Sequence, residues 1–332
     1  MLSFRTAGFN GYAAKYSPFY DNKLAVATSS NYGLVGNGRL YILNISANGE
    51  IVQENFFDTQ DGLFDLSWSE VHENHVITAN GDGSIFLFDA TLQKFPIKKF
   101  KEHKREVFSV NWNLIDKTIF CSSSWDSTIK IWSPNRNDSI LTLLNINNEQ
   151  QNQCIYQAKF SPHDSNTLIS CSSNSNLQTW DIRSPKPLQM DFIAQHGMEC
   201  LSCDWNKYRP TIIATAGVDK SINIWDLRMI RTGNPINELL GHEFAIRNVT
   251  WSPHYSDKIL SCSYDMTARI WSDKTDQNLP GINRRFNHGS ENIFSLHKEF
   301  VIGGDWCLWG DPGWAVTVGW DEMVYVWDTK RT

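Results

Sequence analysis

An all-β chain folded as a seven-bladed WD-repeat β-propeller is predicted by two features of these 332 residues: a set of His, Ser or Thr, Asp and Trp that recurs at one spacing, and a period near 45 residues. From His103 the steps to Ser122, Asp126 and Trp132 are 19, 4 and 6 residues; the same steps lead from His196 to Thr215, Asp219 and Trp225, and from His242 to Ser261, Asp265 and Trp271. Six residues before Leu43, Phe88, Trp132, Trp180, Trp225, Trp271 and Trp327 stand Asn37, Asp82, Asp126, Asn174, Asp219, Asp265 and Asp321, which makes seven repeats. The closing positions lie 45, 44, 48, 45, 46 and 56 residues apart, close to the roughly 40–45 residue period of WD-repeat blades, each a four-stranded sheet.

The recurring residue types follow from blade geometry. With strands a to d forming a meander, the d-to-a loop and the b-to-c turn share one face, so the loop His and the turn Asp can meet. The Ser or Thr of strand b and the indole of strand c then complete a buried chain of donors and acceptors, as buried polar groups require. A Ser, His and Asp trio also describes a hydrolase. An enzyme needs one such trio in one cleft, whereas this chain repeats it at equal spacing with Trp in a fourth place, so a scaffolding role and no enzymatic activity are expected.

In chain order, residues 2–6 precede any repeat, and the chain stops just after strand c of the seventh repeat. The simplest closure uses residues 2–6 as the outer strand of the last blade, giving one domain over 1–332. Blade 1 lacks the His and the closing Trp. Blade 2 has Thr59 at the His position, and blade 4 has Gln151 there. Blades 3, 5 and 6 carry the full set. Blade 7 reads as His288, Thr317, Asp321 and Trp327, with a path from strand a to strand b ten residues longer that holds DWCLWGDPGW, including Trp306, Trp309 and Trp314. The basic run KKFKEHKR at 98–105 reads as an exposed outer strand whose lysines oppose edge pairing.

Composition narrows the function classes. The net charge of −6, with both signs interspersed, offers no broad basic surface, so nucleic acid is an unexpected partner. No apolar run approaches the roughly 20 residues that span a bilayer, and no secretory signal opens the chain, so a cytosolic protein without direct membrane insertion is expected. Seven scattered cysteines suit a reduced compartment. Cys200 and Cys203 form a lone C-x-x-C on strand a, where residues three apart should point to opposite faces, so neither a metal nor another cofactor is expected.

Function in such a ring should sit where strand a begins at the channel mouth. Three positions per blade point there: three and five residues after the loop His, and the residue before the turn Asp. They are Glu106, Phe108 and Trp125 in blade 3; Glu199, Leu201 and Val218 in blade 5; and Ala245, Arg247 and Tyr264 in blade 6. By register, blade 1 adds Tyr12, blade 2 Phe64 with Asp61 beside it, blade 4 Tyr156, and blade 7 Glu291 and Trp320. An acidic and aromatic rim of this kind suits a short helix with basic residues and aliphatic anchors. The bare pattern equally allows a general WD-repeat scaffold or a ubiquitin-ligase substrate adaptor.

The stretches GFNGYAAKYSPFYDNKLAVATSSNYGLVGNGRLYIL, QDGLFDLSWSE, HKREVFSVNWN and VGWDEMVYVWD give the chain its specific resemblance: it is similar, over all seven repeats, to the receptor family for the type-2 peroxisomal targeting signal, in its fungal form. That resemblance implies a cytosolic receptor shuttling to the peroxisome. It would bind the N-terminal signal of peroxisomal matrix enzymes, an amphipathic helix with an Arg near its start and a later His or Gln, and deliver them with a separate co-receptor peroxin to peroxisomal docking proteins. Asp61, Glu106 and Glu199 would then be the acidic part of the cargo groove, Phe64, Phe108, Trp125 and Tyr156 its apolar floor, and Arg247, Tyr264 and Trp320 further contacts.

Overall fold

Val, Ile, Phe, Tyr and Trp alternate with small polar residues through every repeat, and each repeat forms one antiparallel meander. The computed structural model describes residues 1–92, 94–144, 153–276 and 286–331. All described strands fall into seven sheets. These occupy residues 10–59, 63–100, 107–144, 155–193, 200–240, 246–294 and 301–328, the last completed by Leu2–Arg5. Leu2–Arg5 runs antiparallel to Met323–Asp328, with Leu2 opposite Val326 and Arg5 opposite Met323. The two ends of the sequence therefore share one blade.

The hydrophobic core is divided among the gaps between neighbouring blades. Ala27, Leu40 and Phe57 of blade 1 pack on Leu66, Trp68 and Phe88 of blade 2, and the same kind of cluster recurs between each following pair. The ring closes where Val316, Val318 and Val326 of blade 7 meet Leu24, Val26 and Leu43 of blade 1. Each large side chain taken from water there contributes on the order of 1.5–3 kcal/mol. Trp68, Trp112, Trp205, Trp251 and Trp306 end strand a in their blades and are buried.

The b-to-c turns share one device. In six of them the residue after the turn Asp or Asn is left-handed: Gly83, Ser127, Ser175, Lys220, Met266 and Glu322. The carboxylate or amide oxygen before it accepts the N–H two residues on, as Asp126 does from Thr128 at 3.0 Å and Asp219 from Ser221 at 3.1 Å. This local bond offsets the cost of positive φ in non-glycine residues. The turn Asp thus has a task independent of any histidine.

Four expectations about the repeats need correction. In blade 7 the loop histidine is His297, not His288: His297 Nδ1 lies 3.0 Å from Asp321 and Nε2 3.0 Å from the Thr317 hydroxyl. His288 belongs to a short strand, Phe286–His288, lying parallel to the outer strand Asn237–Leu240 of blade 5. The additional length falls in 273–291, between strand c and the outer strand of blade 6, rather than after strand a of blade 7. Trp306 accordingly ends strand a and Trp314 begins strand b.

In blade 5 the expected histidine is displaced. His196 is exposed, with Nε2 at 3.0 Å from Glu238, and Gln195 fills the buried place, its Nε2 donating to the Thr215 hydroxyl at 3.0 Å. The expected Gln151 of blade 4 lies outside the described residues. Finally, Cys200 and Cys203 share one core with Cys171, because a register shift between Cys200 and Ser202 resets the alternation of faces. Burial pushes all three thiols up, so they stay protonated, and no metal-binding cluster exists among the described residues.

Candidate functional site: the channel mouth

The repeated tetrads come first, since they aim the strands that form the mouth. In blade 3, His103 Nδ1 donates to Asp126 at 2.9 Å, Nε2 accepts from Ser122 at 2.7 Å, and the Ser122 oxygen accepts the Trp132 indole N–H at 2.8 Å. Blade 6 repeats this with Asp265 at 2.7 Å, Ser261 at 2.6 Å and Trp271 at 2.8 Å around His242. In blade 5, Trp225 reaches Thr215 at 3.0 Å without a histidine. Ser122 and Ser261 are fully buried, so neither hydroxyl can meet a substrate, and these sets are scaffold.

Their carboxylates carry the charge. Burial pushes Asp126 and Asp265 up, yet the histidine beside each, a threonine hydroxyl and a backbone N–H outweigh it and hold both well below the ordinary range. Asp219 has no histidine hydrogen-bonded to it, the exposed His196 Nε2 staying 4.0 Å from its Oδ2; burial outweighs that partner and raises Asp219, and the buried Oδ2 has no hydrogen-bond partner.

Strand a of every blade has a register shift against strand b near its start, and the residue bypassed is Tyr12, Phe64, Phe108, Tyr156, Leu201, Arg247 or Ile302 in blades 1 to 7. A bulge frees one residue from the ladder and re-aims its side chain. Here it aims one residue per blade at the channel. All seven line a single cavity of about 360 Å³ at its mouth, walled further by Tyr32, Trp125, Glu199, Tyr264 and Trp320.

The rings interlock around the opening. Tyr12 and Phe64 are 5.2 Å apart, Phe64 and Phe108 5.1 Å, and Phe108 stacks on Trp125 at 5.2 Å. Tyr32 and Phe300 each approach Trp320 at 5.3 Å. Tyr156 donates to Glu199 at 3.1 Å; burial first, and then the charge of Glu199, push that phenol up, so it remains a donor. The Arg247 guanidinium crosses the opening from blade 6 to lie 4.7 Å over the Phe108 ring of blade 3. Below, Lys15 meets Asp305 at 3.4 Å, and Lys159 and Lys207 meet the buried Asp204 at 3.2 and 3.1 Å. Burial would raise Asp204, but the two ammonium groups bring it down to about 2.

Of the expected rim residues, Phe64, Phe108, Trp125, Tyr156, Glu199, Leu201, Val218, Arg247, Tyr264, Trp320 and Tyr12 line the cavity. Asp61, Glu106 and Ala245 do not. Asp61 Oδ1 accepts the N–H of Gly62 at 2.8 Å beside Phe64, and Glu106 stands 3.5 Å from Arg105. Glu291 is misplaced: it pairs with Lys258 next to the outer strand of blade 6. Counting from His297 yields Phe300 and Ile302 instead. Tyr32 and Leu34 were overlooked, although NYGLVGNG is a glycine-rich turn with apolar residues at its tip, and Leu34 and Val35 are 84% and 75% exposed. The lysines of 98–105 serve an outer strand, with Lys99 and Lys101 at 3.2 and 3.6 Å from Asp82.

Comparison with known proteins agrees with this architecture. A family model described as WD domain, G-beta repeat matches residues 94–133, and one described as EIPR1 beta-propeller matches 139–271. The chain is 51% identical to the peroxisomal targeting signal 2 receptor of Komagataella phaffii, with 100% of both chains covered. To the receptor of the same name from Saccharomyces cerevisiae it is 46% identical over 99% of each. To that of Mus musculus it is 36% identical, covering 98% of this chain and 95% of the relative.

Proposed function

Because the chain belongs to the family of peroxisomal targeting signal 2 receptors, we propose that the mouth of its propeller channel captures the type-2 signal of peroxisomal matrix enzymes as an amphipathic helix. The observation that carries this reading is the ring of seven bulge residues around one open cavity, six of them aromatic or aliphatic. Aromatic anchors in a partly desolvated hollow are where binding energy concentrates. Glu199 at its edge and Asp61 and Glu106 behind it attract the basic side of the helix.

A separate co-receptor peroxin covers the exposed side of the bound helix. The support is the uncovered apolar tip of the blade 1 turn, Leu34 and Val35, beside the cavity. The receptor works from the cytosol and carries cargo to docking proteins at the peroxisome. No helix of the described residues is long and apolar enough to cross a membrane.

The reading is tested by photo-crosslinking. A synthetic signal peptide with a benzophenone on its apolar face should label residues of the cavity wall such as Phe108, Tyr156 or Tyr264, with label lost to unmodified peptide in excess. Competed label confined to the opposite face, around Trp309, would remove the cargo site from the mouth.

A further inference from the structure

Arg247 is the exception in the ring. The other six bulge residues are Tyr12, Phe64, Phe108, Tyr156, Leu201 and Ile302, and it alone is charged. Its half-buried guanidinium lies over Phe108, and one N–H reaches the Leu201 carbonyl at a long 3.4 Å. Among the described residues no carboxylate pairs with it, although Glu199 lines the same cavity and binds Tyr156 instead. The indole N–H of Trp125, whose ring stacks on Phe108, is buried and finds no acceptor.

A half-buried guanidinium with one long acceptor, beside a buried indole N–H with none, offers donors to an acceptor that the occupant brings. Stacking on Phe108 explains where the guanidinium rests but satisfies none of its five N–H groups. Resting on the cargo-binding reading of the mouth, we infer that Arg247 forms an acceptor-selecting subsite. The side chain that a bound helix lowers into the cavity is an amide or carboxylate, and Arg247 excludes a cation there, while the basic side of the same helix stays at the edge near Glu199. The site is therefore bipolar, and its polarity fixes which way round the helix lies.

The mechanism of selection is direct. A carboxylate or amide oxygen accepts from the guanidinium, in two parallel bonds where a carboxylate is presented. An ammonium group in the same place meets a like charge in a partly desolvated site and leaves the donors unpaired.

The test uses four synthetic amphipathic helical peptides, each with one Arg near its start, that differ at a single central residue of the apolar face: Gln, Glu, Lys or Leu. Fluorescence anisotropy gives their affinities for the parent chain, for Arg247→Met and for Arg247→Glu, with thermal melts to verify folding. The parent should bind the Glu and Gln peptides at least about tenfold more tightly than the Lys peptide. Arg247→Met should abolish that ratio, and Arg247→Glu should reverse it. Arg247→Lys, which keeps the charge and the fold, should retain the order with a smaller ratio. If the peptides bind the parent and the ratio is the same in Arg247→Met, the subsite is overturned and the cargo reading stands. If no peptide binds the parent, the cargo reading fails, and the subsite with it.

Discussion

Gln195 donates to the Thr215 hydroxyl at 3.0 Å, in the place that His103 and His242 hold opposite Ser122 and Ser261. Its carbonyl oxygen accepts from Ser221 at 3.3 Å and from Asn223 at 3.1 Å. Gln195→Ala should therefore remove three buried hydrogen bonds at once and lower stability by about 1–3 kcal/mol. His196→Ala, which removes an exposed imidazole 3.0 Å from Glu238 and 4.0 Å from Asp219, should stay within about 0.5 kcal/mol. Urea denaturation of the two variants decides between them; the opposite order would restore His196 to the tetrad.

Replacing the turn aspartates should divide the blades into two kinds. Asp126→Asn and Asp265→Asn lose a charged partner of a buried histidine and should cost about 1–3 kcal/mol at neutral pH. Asp219→Asn removes a carboxylate that burial raises and that has an unpaired oxygen, so its melting temperature should equal or exceed the parent's. The pH dependence has the matching sign. Asp126 and Asp265 titrate lower in the folded chain than in the unfolded one, so their contribution is complete above the unfolded carboxylate range, near pH 4, and fades as pH falls through the folded values. The stability gap between parent and Asp126→Asn should accordingly narrow in acid, whereas a constant gap down to low pH would deny the shift.

Deletion of residues 1–7 should lower the melting temperature by several degrees. It removes the strand paired with Met323–Asp328 and the edge contact of Phe4 with Tyr41 at 5.9 Å, which bridges blades 7 and 1. An unchanged melt would show that the ring closes without this strand.

Trp309 lies on the face opposite the cavity, where its indole N–H donates to the Ser17 carbonyl at 3.0 Å and ties blade 7 to blade 1. Trp309→Ala should cost about 1 kcal/mol of stability and leave the affinity of a signal peptide unchanged. A large loss of affinity in a folded variant would move the cargo site to that face.

The seven blades were legible because a period near 45 residues survives even where individual tetrad members are missing. The mouth was legible for the same reason: Phe108, Tyr156 and Arg247 follow from register alone. What failed was the fine count. Gln195 stands 20 residues before Thr215, and His297 stands 20 before Thr317, against 19 in blades 3 and 6. In blade 5 the additional residue is accommodated in the loop, where His196 and Gly197 take positive φ, and so a fixed step of 19 selected the wrong neighbour. In blade 7 a step of 19 back from Thr317 lands on Lys298, beside His297, whereas His288, 29 residues back, is reached only by placing ten additional residues after strand a, where the chain has none. The bulges, which aim the seven mouth residues and bring Cys200 and Cys203 to one core, have no sequence signature of their own.

The central claim is that the aromatic hollow holds the signal helix while the carboxylates steer it. Titration of a signal peptide against the parent, Phe108→Ala, Glu199→Gln, Asp61→Asn and Glu106→Gln, at low and high salt, tests it most directly. Phe108→Ala should lose about 2 kcal/mol or more at both salts. Glu199→Gln should weaken binding by up to about 1 kcal/mol at low salt and less at high salt, as screening dictates for an exposed group, with Asp61→Asn and Glu106→Gln affected less. Parent-like affinity for Phe108→Ala and Glu199→Gln at both salts, with the fold intact, would contradict the claim and place the signal elsewhere on the propeller.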